Sequence, residues 1–223
     1  MKIHLIHPGK ISREEAIRHL TPDELERAAK FRFEKDANHW IACRAELRRL
    51  LTEALGAPTS ARSIAHGADV NIGSPLPLAT TSFGKPLLAA PYDFLHFNLS
   101  HCPDLALLAI SEKGPIGIDI EPISRASGLP ECASSFCHPR EIETQPDAIK
   151  LLEIWTAKEA VLKALGTGLS IAPETIRIEN NRAFSDTPVP GLENFEIQRL
   201  ETQIPAGYRA AVAIASIRAI SFT

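Results

Sequence analysis

The 223-residue chain is 44% hydrophobic and carries 24 Lys and Arg against 27 Asp and Glu, a formal net charge of -3. That balance excludes a global field that would recruit nucleic acid or an anionic membrane, so an anionic ligand has to be met by a local cluster. The opening MKIHLIHPGK has no signal-peptide apolar core, and no run of about 18 apolar residues follows, so a cytoplasmic protein with an ordinary core is expected.

In chain order, KIHLIH alternates like a short strand closed by Pro8 and Gly9, and a helical stretch follows. Thr21 as N-cap, Pro22 at the first helical position and Glu24 at the capping-box position predict a helix running toward Phe31. Ala37 to Leu55 repeats apolar residues at three- and four-residue spacing up to Gly56, an amphipathic helix. Residues 57–93, with five prolines among small residues, read as loop-dominated. Strands are predicted over Phe94–Leu99, Leu105–Ser111 and Ile116–Ile120. The Glu112–Pro115 link between the last two suggests a boundary between units 1–112 and 113–223. A short helix near Pro139–Glu143 precedes a long one from Asp147 to Leu165, ended by Gly166. Strands over Thr175–Glu179, Glu193–Leu200 and Tyr208–Ile217 close the chain, the last long enough to be central. Helices and sheet in both halves predict an α+β fold.

Four segments could carry chemistry. Gly117-Ile118-Asp119-Ile120-Glu121 puts two carboxylates on one face of a strand, an incomplete but suitable site for a hard divalent cation; the plainer alternative is a solvated strand face. Trp155, Glu159 and Lys163 share a helix face, so Glu159 can add a third carboxylate and Lys163 or Lys158 can offset a phosphate; alternatively Glu159 and Lys163 form an ordinary surface pair. Phe97-Asn98-Leu99-Ser100-His101-Cys102 ends a strand in polar residues. Ser100 and His101 point to opposite faces, which disfavours a nucleophile and base and favours phosphate contact. Between residues 27 and 49, Arg27, Lys30, Arg32, Lys35, Arg44, Arg48 and Arg49 outnumber Glu34, Asp36 and Glu46, a candidate anion site or a set of solvated helix faces. Cys43, Cys102, Cys132 and Cys137 contain no CxxC pair and read as reduced thiols; Cys132, Cys137 and His138 lack zinc-site spacing.

In order, the GKP of Gly84-Lys85-Pro86, the FNLSH of Phe97–His101, the GIDIE of Gly117–Glu121 and the WxxKExxxKxxG of Trp155–Gly166 resemble the signature set of the surfactin-type (Sfp-like) phosphopantetheinyl transferases. The resemblance implies two similar α+β lobes related by a pseudo-twofold axis, with coenzyme A in the cleft between them and a monomeric state. It implies Asp119, Glu121 and Glu159 as ligands of Mg2+. Lys85, Ser100 and His101 would contact the coenzyme A phosphates, Lys158 and Lys163 the pyrophosphate, and Arg27 and Lys30 the 3′-phosphate, although Glu24 stands near a position that is often basic. Glu159, Lys163 and Asp119 become the expected catalytic residues, and an apo acyl or peptidyl carrier protein the acceptor, with Arg140 or the loop near Phe136 as a docking surface. A coenzyme A-binding module without turnover, and a phosphodiesterase using water as acceptor, are the alternatives.

Overall fold

The computed structural model describes residues 1–56 and 76–215. Its N-terminal part sets three helices, α1 (Arg13–Ile17), α2 (Pro22–Ala29) and α3 (Glu34–Gly56), against a three-stranded antiparallel sheet. That sheet contains β1 (Lys2–Ile6), β4 (His96–His101) and β5 (Ala106–Ser111), in the order β1-β5-β4. A small hairpin of β2 (Leu78–Thr80) and β3 (Pro86–Leu88) lies inside the stretch read as loop. The rest of that stretch, 57–75, falls outside the described residues, as does the end of the last predicted strand.

The C-terminal part is a five-stranded antiparallel sheet with a long helix packed on it. Its strands are β6 (Ile116–Pro122), β7 (Ile176–Glu179), β8 (Arg182–Ser185), β9 (Phe195–Arg199) and β10 (Tyr208–Ala215), in the order β6-β10-β9-β8-β7. The short α4 (Pro139–Ile142) precedes α5 (Ala148–Leu165). The expected α+β class is therefore observed, and β10 sits inside its sheet between β6 and β9. Strand β8 was not anticipated.

The capping signals act as read. Thr21 and Glu24 form a reciprocal capping box at α2; α5 starts at Asp147, whose side chain accepts from the Lys150 N–H, and stops at Gly166 in the left-handed region with φ 77. Strand β5 is buried throughout, and its two faces feed two cores. Ala106, Leu108 and Ile110 pack with Leu47, Leu50 and Leu51 of α3, whereas Leu107 and Ala109 pack with Ile116, Ile118 and Ile120 of β6 and Val212 of β10. The second core joins the two sheets.

Across that junction β4 and β6 lie side by side without sharing a backbone ladder among the described residues. Side chains bridge them instead. The Ile118 N–H donates to Asn98 Oδ1 at 2.9 Å and the Ile120 N–H donates to Ser100 Oγ at 3.3 Å, so two buried amides of β6 find acceptors on β4.

Candidate active site

Strand β6 and helix α5 touch closely because Gly117 has no side chain. A Cβ there would stand 2.0 Å from the Ala160 carbonyl oxygen and 2.4 Å from the Ala164 nitrogen, so only glycine lets the helix lie this near the strand. The contact brings the strand carboxylates and the helix face carrying Glu159 and Lys163 together.

Lys163 Nζ lies 2.5 Å from Asp119 Oδ1, 3.2 Å from Ser100 Oγ and 3.9 Å from Glu159 Oε2. The Ser100 hydroxyl donates to Asp119 Oδ1 at 2.8 Å while accepting from Lys163 and the Ile120 N–H, which leaves its hydrogen-bonding capacity committed. Asp119 is buried, and its second oxygen, Oδ2, has no hydrogen-bond partner among the described residues. Burial, then the Asp119 charge, pushes the Glu121 carboxyl above its usual range, against Arg125, which pairs with it and lies 5.3 Å from the Trp155 ring centre. Glu159 is also raised, chiefly by burial, with Asp119 adding to it and Lys163 opposing it.

These carboxyls offer an all-oxygen donor set, and Asp119 Oδ2 is a buried acceptor without a hydrogen-bond partner among the described residues, which fits a hard cation. Among the described residues no three His, Cys, Asp or Glu side chains are gathered into a ready-made metal cage. Magnesium takes few protein ligands and completes its shell with substrate phosphate and water, so the two findings are compatible.

Beside this cluster a cavity of about 280 Å³ opens between α2, α3, the β2–β3 hairpin and β4. Arg27, Trp40, Arg44, Gly84, Pro86, Asn98 and His101 line it. Arg27 stacks on the Trp40 ring at 5.5 Å, and exposed His101 meets the His39 ring at 5.1 Å. Burial, then the neighbouring His39 and Lys163, pushes the His101 imidazole below its usual range. Thus Arg27 and His101 of the expected ligand-contact set share one cavity, next to Ser100 and Lys163.

Other expectations are corrected. Lys158 is fully buried, its Nζ held by the carbonyls of Phe136 at 2.7 Å and Pro173 at 3.1 Å and by Glu141 at 2.6 Å, so it cannot reach a pyrophosphate from there. Lys85 Nζ donates to the Ile116 and Ala164 carbonyls, each at 3.1 Å, rather than facing the cavity that its neighbours line. Ser100 is buried and saturated, a member of the network rather than a free phosphate contact. Lys30 pairs with Glu26 on the surface of α2 and is absent from the cavity wall. Phe136 packs edge-on against Trp155 and is buried, which removes its side chain from any docking surface, whereas Arg140 is exposed.

Glu24 fills its expected capping-box place and has a second role that sequence reasoning missed. Its carboxylate accepts from Arg44 and from Arg48 at 2.7 and 2.9 Å while closing the capping box, so it ties α2 to α3. The signal was available in the spacing of Arg44 and Arg48, one helical turn apart on α3. All four cysteines are free, and His138 caps α4 and pairs with Asp186 rather than joining Cys132 and Cys137. No described helix is long and apolar enough to cross a membrane.

Adjacent carboxylates and a lysine at a strand–helix contact, beside a cavity lined by Arg27 and Arg44, have the charges that a cation and a phosphate ester would need. Residues 115–213 match the model of the 4′-phosphopantetheinyl transferase superfamily. The chain is 35% identical to the 4′-phosphopantetheinyl transferase HetI of Nostoc sp. over 159 residues, 68% of this chain and 61% of that protein. It is 32% identical to the mouse L-aminoadipate-semialdehyde dehydrogenase-phosphopantetheinyl transferase over 184 residues, 74% of this chain and 54% of that one. It thus spans little more than half the length of these relatives. Among solved structures, a Helicobacter pylori holo-[acyl-carrier-protein] synthase in complex with coenzyme A aligns with 45% of the chain at 22% identity and a TM-score of 0.38.

Proposed function

We propose that the protein transfers the 4′-phosphopantetheine group of coenzyme A to a serine of an apo acyl or peptidyl carrier protein, in a magnesium-dependent reaction that releases 3′,5′-adenosine bisphosphate. The observation that carries this reading is the cluster of Asp119, Lys163, Ser100, Glu121 and Glu159 at the β6–α5 contact, with one Asp119 oxygen left unpartnered. The sequence similarity to phosphopantetheinyl transferases supports it. The expected division into lobes 1–112 and 113–223, pseudo-symmetric about the cleft and forming a cytoplasmic monomer, belongs to the same proposal; sedimentation in solution tests the monomer.

In this reading the carrier serine hydroxyl attacks the β-phosphorus of coenzyme A, and the bond from that phosphorus to the bridging oxygen breaks, its electron pair leaving with the adenosine bisphosphate. Asp119, Glu121 and Glu159 would hold a magnesium ion, which supplies positive charge toward the pyrophosphate. Glu159, with its carboxyl raised by burial, takes the serine proton. Lys163, already bridging Asp119 and Ser100, meets the charge that develops on the leaving phosphate. Ser100 orients Asp119 and Lys163, while Arg27 and His101 stand in the cavity where the nucleotide end would lie.

The test is the intact mass of an apo carrier protein incubated with this protein, coenzyme A and magnesium, beside a sample with chelator. The expected gain is one phosphopantetheine group, lost with chelator and with Asp119→Ala. Release of phosphopantetheine to water with no gain on any of several carriers would overturn the transferase reading in favour of a hydrolase.

A further inference from the structure

Lys85 leaves the chain in one part of the molecule and ends in another. It closes a tight turn in which Gly84 takes φ 81, the Thr81 N–H donates to the Lys85 carbonyl at 2.9 Å, and the Lys85 N–H donates to Thr81 Oγ1 at 3.1 Å. From there the side chain reaches carbonyls 31 and 79 residues farther along the sequence, those of Ile116 and Ala164. Ile116 opens β6. Ala164 is in the last turn of α5, where helix carbonyls have no partner within the helix and a cation is favoured by the helix dipole. Gly166 bonds back to Leu162, and its absent Cβ would stand 3.3 Å from Lys85 Cδ, so the glycine that ends the helix also leaves room for the lysine.

Both anchored residues adjoin the site. Ala164 follows Lys163 directly, and Ile116 precedes Gly117, the residue whose missing side chain admits the helix. The same strand and helix are therefore tied twice: by Lys85 at Ile116 and Ala164, and by Lys163 at Asp119, about 10 Å farther along the strand at 3.3 Å per residue.

We infer that Lys85 is a positioning residue of the proposed transferase centre, anchoring the last turn of α5 to the start of β6 so that Lys163 is held on Asp119. Its catalytic consequence rests on the transferase reading; the anchoring itself does not. The chemistry of the lysine agrees with a buried tie: burial lowers its ammonium to about 8. The anchor is therefore a charged donor near neutral pH and loses its charge as the pH rises past that value.

The experiment compares wild type with Lys85→Met and Lys85→Arg by calorimetric affinity for coenzyme A, by kcat and KM with an apo carrier, and by amide hydrogen exchange over residues 162–166. Lys85→Met is expected to bind coenzyme A within about threefold of wild type, to lose roughly tenfold in kcat as for a misplaced catalytic group, and to exchange faster at the end of α5. Lys85→Arg, which can still donate to both carbonyls, is expected to recover part of the kcat. Tenfold weaker coenzyme A binding by Lys85→Met, with kcat at saturation kept, would make Lys85 a phosphate ligand and overturn the inference. So would unaltered exchange at 162–166 in Lys85→Met. If Lys85→Met fails to fold, Lys85→Arg decides: weakened coenzyme A binding with unchanged exchange rejects the anchor, and retained binding with altered exchange supports it. Failure of the transferase reading shows separately, as absence of transfer and of coenzyme A binding by the wild-type protein.

Discussion

Two clusters of buried charge stand a short distance apart in the chain's organisation and are built on opposite terms. At the α2–α3 contact a single carboxylate, Glu24, is met by two guanidinium groups and the backbone N–H of Thr21. Burial alone would raise it, but the hydrogen bonds from Arg48, Thr21 and Arg44 outweigh burial and hold it below its ordinary value of 4.5. At the β6–α5 contact, Asp119, Glu121 and Glu159 share Lys163 and Arg125, buried Asp119 Oδ2 has no hydrogen-bond partner among the described residues, and both glutamates are raised. A structural ion pair is saturated, whereas a site that waits for a ligand keeps unmet charge. The difference separates two sets of acidic residues that look alike in the sequence.

The sharpest way to break the comparison is to neutralise one carboxylate of each kind. Glu159→Gln is expected to lower turnover by about 10²–10⁴-fold, the usual contribution of a general base, while leaving the thermal midpoint unchanged or higher. Near-normal turnover at saturating magnesium would remove Glu159 from the base role. Glu24→Gln should do the reverse, costing about 2 kcal/mol in denaturant unfolding because buried Arg48 and half-buried Arg44 lose their charged acceptor, with kcat kept. A stable Glu24→Gln protein would mean that the helix tie is dispensable.

A smaller effect separates the clusters by the sign of their pH dependence. Glu24 has a lowered folded pKa, so its stabilisation is present above 4.5 and is lost as the pH falls through the folded value. Glu159 has a raised folded pKa, so its contribution is complete below 4.5 and is lost as the pH rises through the folded value. In chelator, the stability difference between wild type and Glu24→Gln should therefore shrink toward acid, whereas Glu159→Gln should match wild type in acid and become the more stable of the two as the pH rises toward neutral. Parallel slopes in the two difference curves would show the clusters to be electrostatically alike.

The contrast also explains what could be read from sequence. Helix α5 was legible from Asp147 to Gly166 because both ends carry capping residues, and the face shared by Glu159 and Lys163 follows from four-residue spacing. The pairing of Asp119 with Glu121 on β6 follows from strand alternation. Lys158 was misread because it neighbours Glu159 in sequence, yet one residue turns a helix by about 100°, which carried it into the buried side facing Glu141. The destination of Lys85 depends on partners 31 and 79 residues away, which no local pattern encodes. Strand β8, four residues containing Arg182 and Ser185, and the three-residue strands of the β2–β3 hairpin exist through pairing with neighbours rather than through hydrophobic alternation.

The side-chain bridge between β4 and β6 works as a ruler. Asn98 and Ser100 are two residues apart, as are Ile118 and Ile120, so the two hydrogen bonds recognise one alignment of the strands. A slip of one residue would offer Phe97 and Leu99 to the amides, strand two buried N–H groups and draw Ser100 away from Asp119. Alignment is thus fixed by polar side chains of β4 meeting backbone amides of β6. Deletion of the single residue between Asn98 and Ser100 would dismantle the seam and the carboxylate cluster together.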